Sequence, residues 1–246
     1  IASGSDLWEG RLRCISDPWA SFKEDPVRML RAVRLAARVG LTMDRATVRA
    51  IRESAPEGMG QLPRGRVFQE FHSLMAHGAA RASFELLWRV GLLDVFLPSH
   101  QRFCKSHRLP RTPKQRSRRT DNDPILNSLI KALEDLDSCH SAKMPAPAAA
   151  WMTALLRPIV LESLVSWQQS NARSPDRSEL KAIVTATSKS TFQDGASAGV
   201  FPQAKRSQVI HKLCRDAEGR MREEVACILS PTGDEYPKQV GAATSF

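Results

Sequence analysis

The chain has 246 residues, 42% of them hydrophobic and 25% charged, with a formal net charge of +10 and a pI of about 9.8. That length supports one large domain or two small ones around a sizeable core. It excludes a helical membrane protein by expectation, because no run approaches the roughly 18 apolar residues a span needs. Five cysteines are scattered without a CxxC, which points to reduced thiols and an intracellular compartment rather than a disulfide framework. Neither Cys139-His140 nor His211 with Cys214 has zinc-finger spacing, so no metal site is expected. The start Ile1-Ala2-Ser3-Gly4 has no signal-peptide layout and reads as a fragment.

The charge is one-sided. Residues 1–120 hold 22 Lys and Arg against 11 Asp and Glu, whereas residues 121–246 hold 14 against 15. A positive field on one half suits a polyphosphate partner, since cations displace condensed counterions without reading sequence. RNA, DNA or nucleotide is the partner class.

In chain order, Asp6 to Ile15 alternates loosely and suits a terminal strand. From Ser21 the period becomes helical, with Val27, Leu30, Val33, Ala37 and Leu41 in register and Gly40 as a stop. Thr47 to Ser54, Arg66 to Ala76 and Ala79 to Leu92 follow as helices, with Pro56, Gly58, Gly60, Pro63 and Gly78 punctuating the gaps. Short connections imply antiparallel neighbours. Pro98 to Thr120 carries eight Lys and Arg, three prolines and no acid, which predicts a mobile basic linker. Ile125 to Ser138 and the strongly apolar Ala148 to Gln168 are again predicted helices. The periodic signal thins after Gln169, and the tail beyond Ser230 is predicted to be disordered.

The chemistry concentrates on the helix around Glu24-Asp25-Pro26-Val27-Arg28. Arg28, Arg31 and Arg34 step by about 300° each, so with Arg38 they form one cationic stripe along it. A purely structural account of the same residues is available and, on spacing alone, is the stronger. Asp25 would be an N-cap with Pro26 at the first helical position, Ser21 and Glu24 a capping box, and the arginines a solvated face. The Asp-x-Asp at Asp121-Asn122-Asp123 has no strand or Gly-rich turn before it and is expected to cap the helix beginning at Pro124.

The run from Phe22 through Glu24-Asp25-Pro26-Val27-Arg28 to Arg38-Val39-Gly40-Leu41 resembles the motif that opens the neck of class II CCA-adding enzymes and bacterial-type poly(A) polymerases. Asp6-Leu7 through Gly10-Arg11-Leu12-Arg13 is similar to the end of that family's head domain, and Arg66-Val67 with Glu70 resembles the next neck motif. Gly91-Leu92-Leu93-Asp94 with Phe96-Leu97-Pro98 resembles the signature closing its RNA-binding region. Asn127 to Leu156 additionally looks like a plant adenylyltransferase-like branch, which would allow a mitochondrion or plastid. The resemblance covers about residues 6–165.

The resemblance implies an all-α fold of antiparallel helical neck and body, with a residual N-terminal strand from an α/β head. It divides the chain into the end of the head (1–20), neck and RNA-binding domain (21–98), basic linker (99–122), helical body (123–230) and disordered tail (231–246). It implies that Asp25 and Arg28 pair with the incoming base and that Arg31 and Arg34 also line the nucleotide site, with ATP and CTP as nucleotide partners. Arg38, Arg64, Arg66, Lys105, Arg108 and Arg111 are the matching candidates for RNA. The magnesium of the parent reaction would be held by carboxylates in a head preceding everything seen here, so this chain is expected to bind no metal and to be inactive alone. CCA addition and poly(A) addition share these motifs and stay open at this point. Two other readings also stay open, a headless RNA- or protein-binding module and a basic DNA-binding domain.

Overall fold

Asp17 followed by Pro18 is a helix start, and the Asp17 carboxylate accepts a 2.8 Å bond from the amide of Ala20 to begin α1 (Pro18–Glu24). In the computed structural model, which describes residues 8–109, 123–139, 144–193 and 208–229, the one helix expected here is two. The chain breaks at Asp25, whose φ of −142° and ψ of 95° are extended because Pro26 follows and disfavours the α region for the residue before it. Helix α2 (Val27–Val39) then starts behind Pro26 and ends at Gly40 in the left-handed conformation, φ 72°. It buries Val27, Met29, Leu30, Ala32, Val33 and Ala36 on one face.

The expected terminal strand contracts to β1 (Arg11–Leu12), which pairs in parallel with β2 (Thr42–Met43), Arg11 opposite Thr42 and Leu12 opposite Met43. Helix α3 (Arg45–Gly60), capped by Asp44, runs six residues past the predicted stop at Ser54 and includes Pro56 and Gly58. Gly58 serves packing here: a Cβ added to it would lie 3.0 Å from Cβ and Cγ of Pro26. Helices α4 (Arg64–Met75), α5 (Ala80–Val90) and the short α6 (Leu93–Phe96) follow.

The predicted basic linker is helical at its start. Helix α7 (Pro98–Ser106) buries His100, Gln101, Phe103 and Cys104, an apolar periodicity that the flanking cations obscure in the sequence. Residues 110–122, which include Arg111, lie outside the described set, as does the predicted disordered tail. Asp123 accepts from the amides of Ile125 and Leu126 and opens α8 (Pro124–Cys139) as expected.

Helix α9 (Ala148–Asn171) is long and apolar enough to cross a membrane by length and composition, which corrects the expectation that no such run exists. Its apolar residues, Trp151, Leu155, Leu156 and Val160 among them, are buried. Past Gln169 the thin sequence signal concealed two more helices, α10 (Arg177–Ser188), which continues into a π-helical turn (Lys189–Gln193), and α11 (Gln208–Leu229). Asp176 and Glu179 form a reciprocal capping box at the start of α10.

One continuous hydrophobic core runs from Leu12 to Val225. Trp151 of α9 stands 5.6 Å from Phe71 of α4, ring centre to ring centre, and donates its Nε1–H to Nδ1 of His72 at 2.9 Å. Asp137 of α8 caps α5 by accepting from the amides of Ala80 and Arg81 at 2.6 and 3.1 Å.

Candidate nucleotide and RNA interface

The polar face of α2 carries the arginine stripe, and α4 lies against it. Arg66 and Glu70 stand four residues apart on α4, hence one above the other on one helix face. Glu70 accepts from Nε of Arg31 at 2.8 Å and lies 2.9 Å from Nη1 of Arg34. Arg66 reaches back to the α1–α2 joint and donates to Oδ2 of Asp25 at 3.1 Å, with Nη1 of Arg31 3.9 Å from the same oxygen. The order Arg66, Asp25, Arg31, Glu70, Arg34 is therefore a ladder of alternating charge with a net excess of one cation.

Burial differs along the ladder. The acidic side chains are 20% exposed at Asp25 and 13% at Glu70, while Arg31 keeps 41% and Arg34 29%. The carboxylates are the more buried partners, and the guanidinium groups present more of their surface to solvent. The bond to Glu70 raises the pKa of Arg31, so its charge is secure. Arg38, exposed at the end of α2, donates to the carbonyl of Ser73 at 2.8 Å. Its pKa is lowered by burial and by the neighbouring charge of Arg34.

Asp25 and Arg28 are joined through the backbone, where the Arg28 amide donates to the Asp25 carbonyl at 3.0 Å, and not through their side chains. Arg28 turns back along α1, where Nη1 donates to Glu24 at 2.5 Å and to Ser21 Oγ at 3.2 Å. The expected capping box of Ser21 and Glu24 is thus replaced by an arginine clasp, because the helix that it would have capped starts at Val27 instead. Asp25 retains a trace of the N-cap role, its Oδ1 3.3 Å from the amide of Val27.

The six candidates for RNA separate into two places and one position outside the described set. Arg66 is itself part of the ladder, while Arg38 stands at the end of α2 and Arg64 is the first residue of α4. Lys105 and Arg108 are exposed at the end of α7, with Arg108 in the left-handed conformation at φ 53°. Arg111 falls outside the described residues. Glu70 has an anchoring role that the sequence did not assign, and Glu24 takes Arg28 in place of the capping role expected of it. The four-residue spacings of Glu24 to Arg28 and of Arg66 to Glu70 were the signal available for them.

Residues 40–104, from the end of α2 through most of α7, match the family model described as "Probable RNA and SrmB- binding site of polymerase A". The match begins where α2 ends and takes in α4, which carries Arg66 and Glu70 of the ladder. Poly(A) polymerase I of Haemophilus influenzae is 36% identical over 94 residues, 38% of this chain and 21% of that protein. Poly(A) polymerase I of Escherichia coli O6:H1 is 35% identical over 103 residues, 42% of this chain and 22% of that one. The "Multifunctional CCA protein" of Neisseria gonorrhoeae is 38% identical over 94 residues, 38% of this chain and 22% of that one. By these matches this part of the chain is similar to segments of poly(A) polymerase I and of the multifunctional CCA protein. It spans about a fifth of the length of these curated relatives.

Proposed function

We propose that this chain is the base-selecting, RNA-facing part of a template-independent nucleotidyltransferase that adds AMP, or CMP and AMP, to RNA 3′ ends. The observation that carries the reading is the charge ladder, in which two half-buried carboxylates hold arginines at the exposed face of α2 immediately before the matched RNA-binding segment.

Cytosine and adenine each present an exocyclic amine beside an unprotonated ring nitrogen. A carboxylate acceptor next to a guanidinium donor imitates the edge of a partner base, and uracil or guanine would set an acceptor against the carboxylate and a donor against the guanidinium. Asp25 has capacity for this, because a carboxylate offers about four lone-pair sites and its protein partners are the Val27 amide, Arg66 and the more distant Arg31. Arg28 commits Nη1 to α1 and keeps Nη2 and Nε as donors. Arg31 and Arg34 are forks suited to triphosphate or RNA phosphate, anchored by Glu70.

The parent reaction needs magnesium to neutralise pyrophosphate charge. The described residues do not fit that ion, since no group of three His, Cys, Asp or Glu side chains converges among them, and Asp123 is occupied as a helix cap. No step of the chemistry is therefore assigned to this chain.

A salt titration of RNA binding tests the RNA-facing half of the proposal. On single-stranded RNA, removing one cation that neutralises a phosphate should flatten the slope of log affinity against log salt by about 0.7. Arg64→Ala and Lys105→Ala should each do so without regard to RNA sequence. Slopes identical to that of the unaltered chain would remove those cations from the RNA surface.

A further inference from the structure

His107 ends α7, three residues beyond the matched RNA-binding segment, and its imidazole is held from both sides. Nδ1 lies 2.5 Å from Oδ2 of Asp123, and Nε2 lies 2.9 Å from Oε1 of Glu162 on α9. An ionised carboxylate has no hydrogen to give, so each pairing requires the ring nitrogen to donate. A neutral imidazole has one N–H, and only the imidazolium has two. The geometry is thus complete in one protonation state and half broken in the other.

The surroundings favour that cation. His107 stands at a helix C-terminus, where the backbone dipole attracts positive charge, and the Phe103 ring one turn back lies 4.2 Å away, centre to centre. Burial works against the charge, but the hydrogen bonds and fields of Asp123 and Glu162 outweigh it, and the pKa is raised. Asp123 is not free to turn away, because its other oxygen caps α8 through the amides of Ile125 and Leu126 at 3.1 and 3.0 Å. Of the charged groups on the surrounding elements, Arg102 and Lys105 of α7, Arg108 just beyond its end, Asp94 of α6 and Lys189 of the π-helical turn are exposed. Arg157 of α9 faces Glu224 of α11. Among the described residues, Asp123 and Glu162 are the two charged groups that act on the ring.

We propose that protonated His107 is a latch fastening the end of the RNA-binding region to body helices α8 and α9, and that loss of its proton releases the fastening. A group whose folded-state pKa is raised adds stability that is complete below its unfolded value, about 6.5, and is lost as pH rises through the folded value. The release therefore lies on the alkaline side. It would loosen the packing between the module and the body without disturbing the Asp25 to Arg34 ladder.

Nitrogen-detected NMR of the histidines in the full 246-residue chain reads the latch directly. At about pH 6.5 His107 should show two protonated ring nitrogens and should titrate above an ordinary histidine, and Glu162→Gln should move that midpoint down. In thermal melts from about pH 6 to about pH 9, the unaltered chain should lose about 2–4 °C in Tm more than His107→Gln does, the span expected for a modest change in a chain of this size. A single-proton ring at about pH 6.5, a midpoint unmoved by Glu162→Gln, or parallel melting curves would each overturn the proposal. Should His107→Gln fail to fold, the Glu162→Gln titration decides alone, since it leaves the histidine in place at a partly exposed position.

Discussion

Glu70 of α4 accepts the Nε–H of Arg31 of α2 at 2.8 Å while its other oxygen lies 2.9 Å from Arg34, so one carboxylate sets the spacing of two arginines from the neighbouring helix. Glu70→Ala should destabilise the chain by on the order of 1 kcal/mol. The bonds it removes are charge-assisted, but the guanidinium groups are partly exposed and screened. Glu70→Gln should recover part of the stability, since its carbonyl still accepts from one arginine. Urea unfolding midpoints measure both, and a Glu70→Ala midpoint equal to that of the unaltered chain would remove Glu70 from its anchoring role.

Gly58 presents a case in which two effects oppose. Replacing glycine by alanine inside a helix gains about 1 kcal/mol from propensity alone. Here the new methyl would meet the Pro26 ring at 3.0 Å, and a proline ring beside the α1–α2 joint cannot rotate aside. Gly58→Ala should therefore be destabilising, by about 1–3 kcal/mol. A rise in Tm would show that α3 moves away from Pro26 at little cost.

His100 should dominate the acid side of the stability profile. It is fully buried, its Nε2 donates to the Leu155 carbonyl at 2.7 Å, and burial lowers its pKa to about 4. Between about 4 and about 6.5 the unfolded chain holds the extra proton. Stability is therefore complete above the higher value and is lost as pH falls toward the lower, by on the order of 3 kcal/mol. The lowered pKa of His72, also from burial, acts in the same direction. His100→Gln, which keeps a donor near the Nε2 position, should flatten this acid limb in urea titrations. An unchanged acid limb would assign it to other groups.

Where side chains repeat at helical spacing and meet solvent on one face, the fold was legible in the sequence. Helix α2 and helices α4, α5, α8 and α9 were predicted within a few residues. The failures have local causes. Pro56 and Gly58 resemble stop signals, yet α3 continues because Gly58 lets it approach Pro26. Helix α7 hid beneath Arg102, Lys105 and Arg108, whose charges masked buried Phe103 and Cys104. The site was legible as a stripe of arginines, but periodicity along one helix carries no information about the helix beside it. That Arg28 would turn to Glu24, and that Asp25 would take Arg66, depends on the backbone break at Asp25 and on the packing of α4.

The sharpest measurement joins this chain to a complete catalytic head and compares AMP, CMP, UMP and GMP incorporation into an RNA 3′ end. Each base-edge hydrogen-bonding pair is worth about 1–3 kcal/mol, so Asp25→Ala or Arg28→Ala should reduce discrimination against UTP and GTP by roughly 5- to 150-fold as well as lower the rate. A residue that serves only the joint between α1 and α2 would instead lower Tm and leave nucleotide choice alone. Unchanged selectivity with a lowered Tm in both variants would contradict the base-selecting account of α2.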